Sequence, residues 1–137
     1  MRTSIKNYLE EELRSYRKLD RRIDQMKDEI MHPWIETDEN IGGGKSNRNV
    51  STVEIKATRL TLDARLEALE NMKHAIETVY TESGLMGRKF IEEYYFTHNR
   101  KYTVTGLADK FNYNKTDLYG IRRDILERLA DELRMAK

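Results

Sequence analysis

Hydrophobic residues recur at intervals of three and four along the first part of the chain. From about Ser4 to Met31 they form one stripe, and charged residues of both signs fill the positions between them. This period matches one face of an α-helix. The stripe consists of Leu9, Leu13, Tyr16, Leu19, Ile23, Met26 and Ile30. We predict one amphipathic helix that is capped by Ser4 and ends at His32–Pro33, because the residue before a proline disfavours the α conformation.

A second stripe of the same period predicts a helix from about Thr52 to Tyr80. Its apolar positions are Leu62, Leu66, Leu69, Met72, Ile76 and Val79. Residues 33–51, between the two stripes, include three consecutive glycines and several turn formers, which predicts a Gly-rich loop. Two long helices joined by one loop favour an antiparallel helical hairpin over residues 1–81. The same stripes can also pair between two chains of a homo-oligomer.

The last third of the chain, residues 85–137, follows a short glycine-containing linker and has a different pattern. A short helix is predicted over Arg88–Phe96, a second helix begins after Thr103 as its N-cap, and a third runs from Asn114 or Lys115 to about Arg134. Between the last two helices, Asn112 suits a turn because asparagine tolerates left-handed backbone angles. The small Ala108 and its apolar neighbours fit the close crossing of a helix-turn-helix. The predicted fold is therefore all-α, a long N-terminal helical hairpin followed by a C-terminal helix-turn-helix domain.

A helix-turn-helix places the start of its last helix in the major groove of DNA. The outward positions there can contact bases, and Arg122 and Arg123 suit phosphates. Thr103 and Thr105, at the start of the preceding helix, can bind the DNA backbone. The candidate DNA-binding residues are Thr103, Thr105, Asn114, Lys115, Thr116, Tyr119, Gly120, Arg122 and Arg123. The alternatives without a DNA-binding role are that Arg122 and Arg123 are solvated surface charges and that Tyr119 packs on a neighbouring helix.

Composition narrows the function classes. The 137 residues carry 25 Lys and Arg against 24 Asp and Glu, and no cysteine, so disulfides and thiolate metal sites are excluded. The three histidines share no metal-ligand spacing, the EF-hand pattern fails, and Gly44-Lys45-Ser46 lacks the upstream glycine of a P-loop. No signal peptide or membrane-spanning run is evident, so we expect a soluble cytoplasmic protein. We expect no catalytic residue, no metal, no cofactor and no enzymatic activity.

Two segments resemble one family. Arg88–Phe96, the helix-turn-helix after it and the ending Leu126–Leu133 look like the RinA family of phage transcriptional activators. Pro33-Trp34-Ile35 and Thr37–Gly43 are similar to a loop segment of those proteins. The C-terminal half also resembles region four of sigma factors. The turn Asn112-Tyr113-Asn114 and Gly120 depart from many relatives, so the DNA target is not transferable.

The resemblance implies a regulator that binds double-stranded DNA upstream of phage late genes and activates their transcription. The late genes would be those for packaging and structural proteins, and bacterial RNA polymerase would be a partner. The alternative is a sigma-like adaptor that contacts RNA polymerase without reading DNA itself. A third possibility is a structural helical protein in which the apparent helix-turn-helix is only a packing motif.

Overall fold

The computed structural model describes residues 1–32 and 52–135, and all regular secondary structure in these residues is helical. The predicted all-α class is confirmed over this part of the chain. The elements are α1 (Thr3–Arg14), α2 (Tyr16–Met31), α3 (Thr52–Glu82), α4 (Gly84–Phe90), a π-helical turn (Ile91–Tyr95), α5 (Val104–Phe111) and α6 (Lys115–Glu132). The predicted loop over 33–51, with Trp34, the glycines and Lys45, lies outside the described residues.

The chain divides into two compact units. One consists of Met1–Asp20 together with Asn71–Lys137, and the other of Arg21–Glu70. In the second unit, one apolar position of the stripes, Ile23, is buried. The others are half-buried, and these are Met26, Ile30, Leu62, Leu66 and Leu69. The functional division into 1–81 for assembly or partner contact and 85–137 for DNA binding stays a prediction.

The first predicted helix is interrupted once, at Ser15. The amide of Ser15 donates to the carbonyl of Glu11 at 3.0 Å, the four-residue spacing of an α-helix. The amide of Lys18 instead donates to the carbonyl of Ser15 at 2.9 Å, a spacing of three residues. One tight turn therefore separates α1 from α2. The start also differs from the prediction, because Arg2 occupies the N-cap position without a side-chain bond and Ser4 lies inside the helix. Helix α2 ends at Met31, as predicted from the following His32–Pro33.

The linker predicted around residues 81–87 is mostly helical. Helix α3 continues to Glu82, and α4 begins at Gly84, whose φ of 75° lies in the left-handed region that glycine adopts readily. Gly87 serves packing, since a Cβ at this position would lie 2.6 Å from the Cβ of Ser83. Of the two glycines in the predicted linker, Gly84 therefore forms a bend and Gly87 allows close packing against Ser83.

The core of the first unit is formed by α1, the start of α2, the C-terminal part of α3, α4, the π-helical turn, α5 and α6. The amide of Phe96 donates to the carbonyl of Ile91 at 3.0 Å, and this five-residue spacing widens the last turn of the helix. Rings of this segment pack on one another, with Phe90 and Tyr94 stacked at 5.0 Å between centroids and Tyr95 edge-on to both. The largest fully buried side chains are Tyr95, Phe90, Leu9, Leu13, Leu19, Ile76, Ile91, Leu107, Leu118, Leu129 and Val79.

Two polar contacts join α2 to α3 within this unit. The hydroxyl of Tyr16 donates to Glu77 at 2.6 Å, and the ammonium of Lys73 lies 2.5 Å from the carboxylate of Asp20. Asp20 lies four residues after Tyr16 on α2, whereas its partner Lys73 lies four residues before Glu77 on α3. The two helices therefore run antiparallel here. Burial and the bond to Glu77 raise the pKa of Tyr16. None of the described helices is long and apolar enough to cross a membrane.

Candidate nucleic-acid interface

Helices α5 and α6 are joined by three residues, and local chemistry defines each end of the connection. The hydroxyl oxygen of Thr103 accepts the amide of Gly106 at 3.1 Å and caps α5, as predicted. Asn112 ends α5 with φ 54° and ψ 49°, the left-handed conformation that the sequence indicated. The side-chain oxygen of Asn114 then accepts the amide of Asp117 at 3.1 Å and caps α6.

Buried apolar side chains hold the two helices together. Leu107 and Ala108 are buried on α5, and Leu118 is buried on the first turns of α6. The amide of Tyr113 donates to the carbonyl of Ala108 at 2.9 Å, so the turn folds back against the end of α5. The N-terminal turns of α6 are therefore fixed by packing on their inner side, which leaves the outer side free to face solvent.

That outer side carries several of the predicted DNA-binding residues together. Lys115, Thr116, Tyr119 and Arg123 are exposed, and Tyr119 retains 42% of its accessible surface. A Cβ placed on Gly120 would lie 3.7 Å from Nη2 of Arg123, so the guanidinium lies beside the bare glycine. Among the described residues, Lys115 and Arg123 have no ion-pair partner. We name this surface the α6 face.

The remaining candidates, Thr103, Thr105 and Asn114, lie at the helix starts, and their side chains are less available to bind DNA. The oxygens of Thr103 and Asn114 are used for capping, although both residues are exposed. Thr105 is half-buried. Apart from the amides of Gly106 and Asp117, which donate to the two capping side chains, the amides of the first turns of α5 and α6 lack intrahelical acceptors and point outward along the axis. At the N-termini of α5 and α6, free backbone amides are therefore better placed than these side chains to donate hydrogen bonds to a ligand.

Arg122 does not lie on the α6 face. Its guanidinium is bound to Glu10 of α1, with Nη2 2.8 Å from Oε2 and 3.0 Å from Oε1, and Nε 3.1 Å from Oε2. Burial opposes the charge on Arg122, but the hydrogen bonds and the charge of Glu10 outweigh it, and the pKa of Arg122 is raised. We therefore assign Arg122 to the packing of α6 on α1 and withdraw it from the phosphate contacts.

Sequence reasoning missed Glu10, although a signal was present. Arg122 comes four residues after Leu118 and three before Ile125, both buried, so it occupies a core position of the α6 stripe. A charge at such a position requires a buried partner. Glu10 is 4% exposed, and it also accepts the hydroxyl of Tyr95 at 2.8 Å. Burial, the charge of Glu10 and this bond raise the pKa of Tyr95.

Within residues 1–32 and 52–135, no group of three or more His, Asp or Glu side chains is arranged to hold a metal ion. The chemistry of the α6 face is that of hydrogen-bond donors, two cations and one exposed aromatic ring. Such a surface can bind polyanions and can read base edges.

Comparison with known proteins gives a family. A family model described as a protein of unknown function, DUF722, matches residues 3–131. The chain is 36% identical over 133 residues to the transcriptional activator rinA of Staphylococcus phage phi11, and the alignment covers 97% of this chain and 93% of that protein. No solved structure matches the chain. The resemblance to the RinA family is confirmed, and the chain belongs to the RinA-like DUF722 family.

Proposed function

We propose that this protein is a sequence-specific DNA-binding activator of transcription that reads duplex DNA with α6. The observation that carries the proposal is the α6 face, with Lys115, Tyr119 and Arg123 exposed on one side of a helix that a three-residue turn joins to α5. Sequential helices with such a turn dock the second helix in the major groove. The name of the phage phi11 relative supports activation.

Each residue of the interface receives a role from its chemistry. Lys115 donates to guanine edges or to phosphate, Thr116 contacts a thymine methyl, and Tyr119 offers its hydroxyl and ring to a base. Gly120 allows close approach to the duplex, and Arg123 binds phosphate. The outward amides at Thr103, Thr105 and Asn114 bind the DNA backbone as helix N-termini bind anions.

The target is the promoter or operator DNA of phage late genes, which the family resemblance implies. RNA polymerase of the host is the proposed second partner, and α1–α3 would supply polymerase contact or a homo-oligomeric interface. The protein would act in the bacterial cytoplasm, where phage genes are transcribed.

Selection of bound sequences from a random duplex pool tests the proposal. We expect one enriched motif, or a repeated half-site for a dimer. Lys115→Ala and Tyr119→Ala should each cost about 1–3 kcal/mol of binding and relax the motif, and Arg123→Ala should weaken all sequences alike. Lys89→Ala, which removes an exposed cation from α4, is the matched control and should bind like the wild type.

The adaptor alternative makes a different prediction for the same experiment. If no motif is enriched while RNA polymerase co-purifies with the protein, the sequence-reading role is refuted and the adaptor role is supported. If neither DNA nor polymerase binds, the apparent helix-turn-helix is only a packing motif.

A further inference from the structure

A second concentration of positive charge lies away from the α6 face. A cleft of about 390 Å³ opens between the α1–α2 junction and the segment after the π-helical turn. Its lining includes five basic side chains and no acidic one, and the basic residues are Arg14, Arg17, Lys18, His98 and Arg100. We name this site the basic cleft.

The cations of the basic cleft are not equally engaged. Arg14 pairs with Glu11 at 3.2 Å, and Arg100 donates to the hydroxyl of Tyr94 at 3.1 Å. Arg17 and Lys18 are exposed and form no ion pair with any described residue. Two unpaired cations that line the same cleft repel one another, and a bound anion relieves that repulsion. The cleft therefore suits an anionic ligand.

The aromatic residues of the cleft favour a phosphate group over a nucleobase. Phe96 is stacked on Tyr16 at 4.7 Å and on Tyr80 at 6.0 Å between centroids. Tyr94 is stacked on Phe90, and the guanidinium of Arg100 lies 5.0 Å from its centroid. Base recognition by stacking needs a free ring face. Because the faces of these rings are already covered by other side chains, the cleft would recognise a ligand by its charge and not by stacking on a base.

The cleft also adjoins the proposed DNA-reading helices along the chain. Arg100 precedes Thr103, the N-cap of α5, by three residues. Three residues span at most about 10 Å, which corresponds to roughly three base pairs at 3.4 Å each. A duplex seated on α5 and α6 is longer than this distance, so its flanking backbone is long enough to reach the Arg100 side of the cleft.

We propose that the basic cleft binds the phosphodiester backbone of DNA flanking the sequence read by α6. This inference rests on the proposed function, since it adds a second, sequence-independent contact to the same complex. Arg17 and Lys18 supply the principal charges. Arg14 and Arg100 form the walls and are partly held by Glu11 and Tyr94.

The test uses the full chain and a 40-base-pair duplex of random sequence. The double variant Arg17→Ala/Lys18→Ala removes the two free cations, and alanine is well tolerated in a helix. Two lost phosphate contacts should reduce the slope of log affinity against log salt by about 1.8 and lower the affinity roughly 10- to 60-fold at about 0.1 M salt. Lys27→Ala/Lys89→Ala changes the net charge equally at exposed positions outside the cleft and should leave the slope unchanged.

Two results would overturn the cleft assignment alone. In the first, the wild type binds duplex and Lys115→Ala weakens binding, but the cleft variant behaves like its control. In the second, inorganic phosphate shifts the amide resonances of Arg17 and Lys18 while the cleft variant keeps the wild-type salt slope, which would make the cleft a site for free phosphate. A wild-type protein that binds no duplex refutes the proposed function, and the cleft assignment with it.

Discussion

The carboxylate of Glu10 and the guanidinium of Arg122, 112 residues apart in the chain, form a bidentate ion pair in which the side chains are 6% and 18% exposed. The pair joins α1 to the middle of α6. Because the α6 face lies on the same helix, the orientation of the proposed DNA-reading residues depends on a contact made by the first helix of the chain.

Removing one partner of this pair should be strongly destabilising. Glu10→Gln leaves the Arg122 guanidinium without its counter-charge, and the loss of one member of a buried pair typically costs about 3 kcal/mol or more. Urea unfolding followed by circular dichroism measures the effect. Glu11→Gln, which breaks the exposed pair with Arg14, is the control and should cost less than about 1 kcal/mol.

A double variant tests whether the cost of Glu10→Gln comes from leaving the Arg122 charge without a partner. In the Tyr95→Phe background, where no buried hydroxyl needs Glu10 as its acceptor, Glu10→Met/Arg122→Leu replaces both charges by apolar groups, and such replacements are often neutral or stabilising. We expect it to be more stable than Glu10→Gln in the same background. Equal destabilisation by the single and double variants would contradict a role of the pair as a compensated buried charge.

Features fixed by neighbouring residues were the most predictable from the sequence. The cap of α5 at Thr103 and the left-handed Asn112 follow from local backbone chemistry, and both are present. The bend at Gly84 and the π-helical turn were missed, because glycines were interpreted as a linker and because a five-residue bond has no local sequence signature. The pairing of Glu10 with Arg122 was missed because the two charges meet only when α1 packs on α6.

Because Asn112 adopts a left-handed conformation, we expect a change to glycine to affect folding stability differently at Asn112 and at Asn7, which lies inside a helix. Asn112→Gly should maintain or raise stability, whereas Asn112→Ala should cost about 1 kcal/mol, because a Cβ disfavours φ of 54°. Asn7 is exposed inside α1, where glycine should be destabilising by a few tenths of a kcal/mol. Thermal unfolding of the three variants checks this, and a destabilising Asn112→Gly would contradict the left-handed turn.

The raised pKa of Tyr95 predicts a loss of stability at alkaline pH. In the unfolded chain a tyrosine ionises near pH 10, but in the folded protein burial and Glu10 keep Tyr95 protonated to higher pH. Its contribution is therefore complete below about pH 10 and declines as the pH rises above that value. The free energy of unfolding, measured from pH 8 to 10.5, should fall more steeply for the wild type than for Tyr95→Phe. Parallel curves would contradict the shift.

Asn114 allows helix capping to be separated from DNA binding at one residue. Its side-chain oxygen caps α6, so Asn114→Ala should cost about 1 kcal/mol of folding stability. Asn114→Asp keeps the cap and adds a negative charge that favours the helix N-terminus, so its stability should equal or exceed that of the wild type. The same charge faces the proposed DNA backbone contact and should weaken duplex binding at low salt, with the deficit shrinking as salt screens it.

The two measurements on Asn114→Asp must diverge for the α6 assignment to hold. Unfolding in urea reports the cap, and fluorescence anisotropy with a labelled duplex reports the interface. An aspartate variant that is as stable as the wild type and binds DNA equally well at low salt would place the start of α6 away from the phosphates. In that case Lys115 and Thr116, which follow directly on the helix, would lose their assigned contacts with the major groove.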